Sequence, residues 1–64
     1  MQQIAGSKKY QSGILVVWSD AGDDNGEFFT YEDLVTQNIN MLDLLVHPGI
    51  YHIDPNRHRI ESGV

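Results

Sequence analysis

The sequence contains no cysteine. Disulfides and thiolate metal sites are therefore excluded, and the composition accords with a reducing compartment. Lysine and arginine are also missing between Tyr10 and Asn56; the four cationic side chains are Lys8, Lys9, Arg57 and Arg59. Phosphate contacts need Lys or Arg, so direct nucleic-acid binding through the middle of the chain is disfavoured. There is no run of about 18 apolar residues, so no membrane-spanning helix and no membrane partner are expected. The start of the chain lacks a basic region followed by an apolar stretch, so no signal peptide is expected. These absences together predict a cytoplasmic protein. Internal repeats and low-complexity segments are lacking too.

The motifs of catalysis are equally scarce. There is no nucleophile elbow, phosphate-binding glycine loop or zinc motif. Ser7, Ser12, Ser19 and Ser62 have no patterned base beside them. The expectation is a protein that is not an enzyme, with no catalytic residue, no cofactor and no metal ligand assigned.

What is present is carboxylate. The span from Tyr10 to Asn56 holds Asp20, Asp23, Asp24, Glu27, Glu32, Asp33, Asp43 and Asp54, and the net charge is −5. An acidic middle between basic ends suits a partner with a basic surface, or a cation. The 64 residues allow one domain, spanning residues 1–64. A core of that size is marginal, so self-association or a partner is a natural way to complete it.

The segment from Phe29 to Gly49 carries the most consistent local signals. Thr30 is a good N-cap, and Asp33 three residues later completes a shortened capping box. Phe29 and Leu34 are placed for a hydrophobic staple. Glu32 and Asp33 complement the positive end of the helix dipole. Pro48 and Gly49 end the helix near His47. The spacing predicts one helix over Tyr31 to Val46. At about 100° per residue, Tyr31, Leu34, Val35, Ile39, Met41, Leu42, Leu45 and Val46 form one apolar stripe. Leu42 lies at its centre. Asn38 falls inside the stripe, as a buried amide bonded to a strand or as a polar group fixing register across a dimer seam. Leu44 falls on the polar side, as a lone exposed residue or a partner contact.

The strongest strand is Gly13 to Ser19. Its unbroken apolar run from Ile14 to Trp18 suggests burial on both faces, or on one face with the other partly exposed. Residues Asp20 to Gly26 read as a loop with Asn25-Gly26 as the turn pair. Glu27 to Phe29 reads as a short strand. Met1 to Gln11 is weakly patterned, and Lys8 to Gln11 suits an edge strand blunted by lysine. Ile50 to Ile53 and His58 to Glu61 read as a hairpin around Asp54-Pro55-Asn56-Arg57, a type I turn. In that register Ile53 pairs with His58 and Tyr51 with Ile60. Tyr51, Ile53, His58 and Ile60 then share a face, and His52 lies on the other.

Two short resemblances stand beside these readings. Asp23, Asn25, Gly26 and Glu32 fall at the third, fifth, sixth and twelfth places of an EF-hand calcium loop, which the segment Ala21 to Glu32 resembles. Ala21 stands where the loop's first ligand would be. The resemblance implies a cation held by that loop. The peptide from Gly49 to Glu61, GIYHIDPNRHRIE, is similar to a strand-turn-strand segment of the flavin-dependent azoline oxidases of the nitroreductase superfamily. Those thirteen residues imply a hairpin and no more.

The expected fold is α+β: a small antiparallel sheet of three to four strands with one central helix packed on one face. The expected function is non-catalytic protein binding or assembly. It would act through Asp20, Asp23, Asp24, Glu27, Glu32, Asp33 and Leu44, together with the apolar strand, and the chain itself is a possible homo-oligomer. The alternatives are an acidic inhibitor that mimics nucleic-acid phosphates, and a calcium-binding module using the Asp20 to Glu32 loop.

Overall fold

The computed structural model describes residues 2–62. Its strands are β1 (Gln2–Gln3), β2 (Gly6–Lys9), β3 (Gly13–Asp20), β4 (Asp23–Thr30), β5 (Tyr51–Asp54) and β6 (Arg59–Ser62). Its helices are α1 (Tyr31–Thr36) and α2 (Met41–Val46), with a 3-10 turn at Pro48–Ile50. The expected single sheet under one central helix is not what forms. There are two antiparallel three-stranded sheets, ordered β2-β3-β4 and β1-β5-β6, with two short helices. Both sheets and both helices feed one core of Ile4, Ile14, Val16, Trp18, Phe29, Leu34, Leu44, Tyr51, Ile53 and Ile60.

The helix starts as its sequence dictates. The Thr30 hydroxyl accepts from Asp33 N–H at 3.1 Å, and the Asp33 carboxylate accepts from Thr30 N–H at 3.2 Å. It ends ten residues earlier than the apolar spacing predicts. Asn38 adopts the left-handed region at φ 59°. Ile39 N–H donates to Leu34 C=O and Asn38 N–H donates to Val35 C=O, the two bonds of a Schellman cap. Asn40 then caps α2, its side chain accepting from Asp43 N–H at 3.1 Å. Asn38 is thus an exposed helix terminator and not a buried amide on a strand.

The break resets the helical phase. Leu44 is fully buried, and Leu42 is 69% exposed. Both expectations for α2 are therefore reversed, because the apolar spacing continues in step across a chain that turns at Asn38. Ser7 anchors α2 to β2 through a 2.7 Å hydrogen bond to Leu44 C=O.

The acidic segment is a hairpin and not a loop. The turn is Ala21-Gly22, with φ values of 53° and 85°, and Asp20 pairs with Asp23. Left-handed conformations at both positions give a two-residue turn that matches strand twist. Asn25-Gly26 is the better local turn pair, but it is overruled by register. The observed pairing sets Ile14 against Phe29, and both are buried. A turn at Asn25-Gly26 would place Phe29 beside Gly22 instead.

In β3, Ile14, Val16 and Trp18 face the core, while Leu15 is half-buried and Val17 exposed. The apolar run is therefore buried on one face only. At the chain start, Ile4 N–H donates to Tyr51 C=O and Ala5 N–H donates to Val17 C=O. The weakly patterned first residues thus join one sheet to the other. In the last hairpin Ile53 pairs with Ile60 and Asp54 with Arg59. The register differs from that expected because the loop takes in His58, left-handed at φ 50°. Tyr51, Ile53 and Ile60 still point into the core, but His58 does not join them.

Candidate protein-binding surface on the β3-β4 hairpin

The six carboxylates expected to contact a partner are divided into groups. Asp20 and Asp23 flank the turn, and Asp24 follows, accepting from Ser19 Oγ at 3.1 Å. Asn25 Nδ2 donates to Asp23 C=O at 3.1 Å and stiffens the tip. Glu27 lies four strand residues away, roughly 13 Å at the usual rise. Glu32 and Asp33 belong to the first turn of α1. The expected partner contact at Leu44 has no surface, since that side chain is fully buried.

Glu27 and Asp33 are engaged within the molecule. His58 Nδ1 lies 2.6 Å from Glu27 Oε2, and its Nε2 lies 3.2 Å from Asp33 Oδ2. The imidazole stacks on Phe29, with centroids 4.1 Å apart and planes 13° apart. Two carboxylate acceptors require both ring nitrogens to carry protons. Partial burial lowers the pKa of His58, but the hydrogen bonds to Asp33 and Glu27 outweigh it, and the net shift is upward. The pKa of Asp33 is lowered, first by the hydrogen bond from His58 and then by those from Thr30. Each ring nitrogen of His58 faces a carboxylate oxygen, so the imidazole ties two acidic side chains to one loop. It is a clamp joining β4, α1 and the last hairpin.

Gln37 completes that junction. Its Nε2 donates to His58 C=O at 3.0 Å, and its Oε1 accepts from Ile60 N–H at 2.8 Å. One side-chain amide therefore occupies the Ile60 N–H of β6 and the His58 C=O just before that strand. Sequence reasoning missed both residues. A left-handed His58 has no local signature, and Gln37 reads as an ordinary polar-face residue of a helix.

Among the described residues, Asp20, Asp23, Asp24 and Glu32 form no ion pair with Lys, Arg or His. The arginines pair elsewhere, Arg57 with Asp54 at 3.7 Å and Arg59 with Glu61 at 3.5 Å. The calcium-loop geometry is not formed. Asp23–Thr30 is extended, which separates Asp23 from Glu32 by on the order of 20 Å. Among the described residues no group of three His, Asp or Glu side chains is placed to hold a metal ion.

The outer face of sheet β2-β3-β4 is apolar. Leu15 pairs with Phe28, and Val17 lies between Gly6 and Gly26. Phe28 spreads over Gly13, where a Cβ would come within 2.7 Å of its ring. Phe28 also meets Tyr10 edge-on at 6.2 Å, and Lys8 Nζ sits 5.5 Å from the Tyr10 centroid. Val17, Phe28 and Tyr10 are all exposed. Around the Tyr10 end, an open groove of about 550 Å³ is bordered by Tyr31, Met41, Leu42 and Leu45. Tyr31 Oη donates to Tyr10 C=O and fixes one wall of it.

No helix among the described residues is long and apolar enough to cross a membrane. No protein-family model matches the chain, and no curated protein and no solved structure matches it either.

Proposed function

We propose that this chain is a non-catalytic protein-binding module acting in the cytoplasm, and that its working surface is the β3-β4 hairpin. One observation carries the reading. The outer face of sheet β2-β3-β4 presents Leu15, Val17 and Phe28 next to a hairpin tip bearing the unpaired carboxylates Asp20, Asp23 and Asp24. Apolar contact there supplies affinity, and the acidic tip steers a basic partner into place. Glu27 and Asp33 leave the expected set because they are committed to His58. The acidic-mimic reading is narrowed accordingly, to three tip carboxylates and Glu32.

The test is capture of a partner from the source cells with the wild-type chain, Val17→Asp and Asp23→Asn/Asp24→Asn. A partner of this surface is retained by wild type and lost with Val17→Asp. With the double variant it associates more slowly and dissociates at nearly the wild-type rate. A partner held equally by all three proteins would reject the reading.

A second reading rests on the groove beside Tyr10. Its volume lies within the usual range for small-molecule sites, about 300–1,000 Å³. A small apolar ligand seated there would shift the Met41 and Leu45 methyl resonances and leave Val17 unmoved.

A further inference from the structure

Sheet edges differ in how they are closed. In a two-residue hairpin the residues flanking the turn form a hydrogen-bonded pair, and pair types alternate along the ladder. Asp20 and Asp23 flank the turn here. Asn25, Glu27 and Phe29 therefore bond to β3. Asp24, Gly26, Phe28 and Thr30 turn their N–H and C=O groups away from it. The Thr30 N–H bears this out, since it donates outward to Asp33 Oδ2 at 3.2 Å.

The other edges are shorter or partly occupied, β1 being only two residues long. The β2 edge is only four residues long and ends in Lys8 and Lys9. On the β6 edge the Ile60 N–H is taken up by Gln37 Oε1. β4 spans eight residues, has β3 on one side and no strand on the other, and is exposed at Asp24, Asn25, Gly26 and Phe28. Its outward backbone groups from Asp24 to Phe28 form an open template.

We infer that β4 is an acceptor edge, and that an extended lysine- or arginine-bearing segment of a partner protein pairs with Asp24, Gly26 and Phe28 as a fourth strand. This rests on the protein-binding reading above and names its chemistry. Charge selects the occupant. Asp23 and Asp24 lie along the edge, with Asp20 across the turn at the end of β3, so a second copy of β4 brings carboxylates towards carboxylates. A basic strand meets them as opposite charge. Gly26 leaves a gap beside the exposed Val17, so an apolar residue of the added strand fits opposite Gly26. The recognition pattern is therefore an alternation, with apolar side chains over Val17 and Phe28 on the outer face and basic ones on the opposite face, level with Asp23.

The experiment uses the intact chain, labelled with 15N, and a capped peptide alternating lysine and valine. Amide exchange is read at each residue with and without peptide. The expected result is slowed exchange at Gly26 and Phe28, and none with the same peptide carrying glutamate for lysine. Gly26→Pro removes one outward donor and leaves the β3 ladder intact, because proline is tolerated where its nitrogen faces away from the sheet. A Cβ there meets only ordinary contacts of 3.6–3.7 Å. That variant is expected to bind the lysine peptide about tenfold more weakly. Unchanged exchange at Gly26 and Phe28 in the saturated wild-type chain overturns the inference, whatever the fate of the variant. Equal binding of the two peptides, or dimerisation of the chain through β4, overturns it as well. A partner lost with Val17→Asp but retained by Gly26→Pro removes strand addition and leaves the protein-binding reading standing.

Discussion

Leu44→Ala and Leu42→Ala form a pair whose relative cost is set by the break at Asn38. Leu44 is 0% exposed and packs in the common core, whereas Leu42 is 69% exposed. Truncating Leu44 removes three buried carbons, a loss of about 2.4 kcal/mol at roughly 0.8 kcal/mol for each. The cavity adds to that, so the cost falls within about 2–5 kcal/mol. A chain of this size holds on the order of 3–10 kcal/mol in total. The variant is therefore expected to lose much of its cooperative transition. Leu42→Ala leaves no cavity, and the gain in helix propensity offsets the small lost contact. Its expected effect is within about 0.5 kcal/mol of wild type. Urea denaturation followed by Trp18 fluorescence and by far-ultraviolet circular dichroism measures both. A Leu42→Ala cost larger than that of Leu44→Ala would mean one uninterrupted helix over Tyr31 to Val46, and would refute the two-helix account.

Other outcomes follow from single residues. Ala21→Asn replaces an L residue strained at φ 53° with one that favours the left-handed turn, and should raise stability by about 0.5–1 kcal/mol in a urea titration. Asn38→Val should cost about 1–2 kcal/mol and Asn38→Gly almost nothing, because the φ of 59° excludes branched side chains; equal costs would remove the Schellman cap. Thr30→Ala should cost about 1 kcal/mol through loss of the capping box. The upward shift of His58 makes its contribution complete below the ordinary histidine value of about 6.5, and that contribution is lost as pH rises through the raised value. The downward shift of Asp33 makes its contribution present above 3.8 and lost as pH falls through the lowered value. Wild type should therefore lose stability as pH rises from about 6.5 through the raised His58 value, and His58→Gln should lose less; identical losses would remove the clamp.

Legibility followed the range of the interactions. The start of α1 was readable because the Thr30–Asp33 capping box closes within four residues. The strand at Gly13 was readable from its β-branched run. The edge role of Lys8 and Lys9 was readable from charge alone. The end of α1 was not. A 3.6-residue period records which residues are apolar, and it cannot register that the axis turns at one left-handed Asn38. The same blindness reversed Leu42 and Leu44. The position of the β3-β4 turn depended on Ile14 meeting Phe29, a register choice that outweighed the stronger local preference of Asn25-Gly26. At the candidate site, the acidity of the hairpin tip was legible and the diversion of Glu27 and Asp33 was not. Their partner lies 31 residues from Glu27 and 25 from Asp33. The open edge of β4 was likewise invisible, because it depends on the strand order β2-β3-β4, which no local pattern records.

The surface proposed for a partner is the β3-β4 hairpin. Amide exchange on the chain bound to its captured partner tests this most directly. Protection is expected at Val17, Asp24, Gly26 and Phe28, with the exposed side of α2 around Leu42 and Val46 unchanged. Protection at Leu42 and Val46 with the hairpin unchanged would contradict it and transfer the function to the helical face.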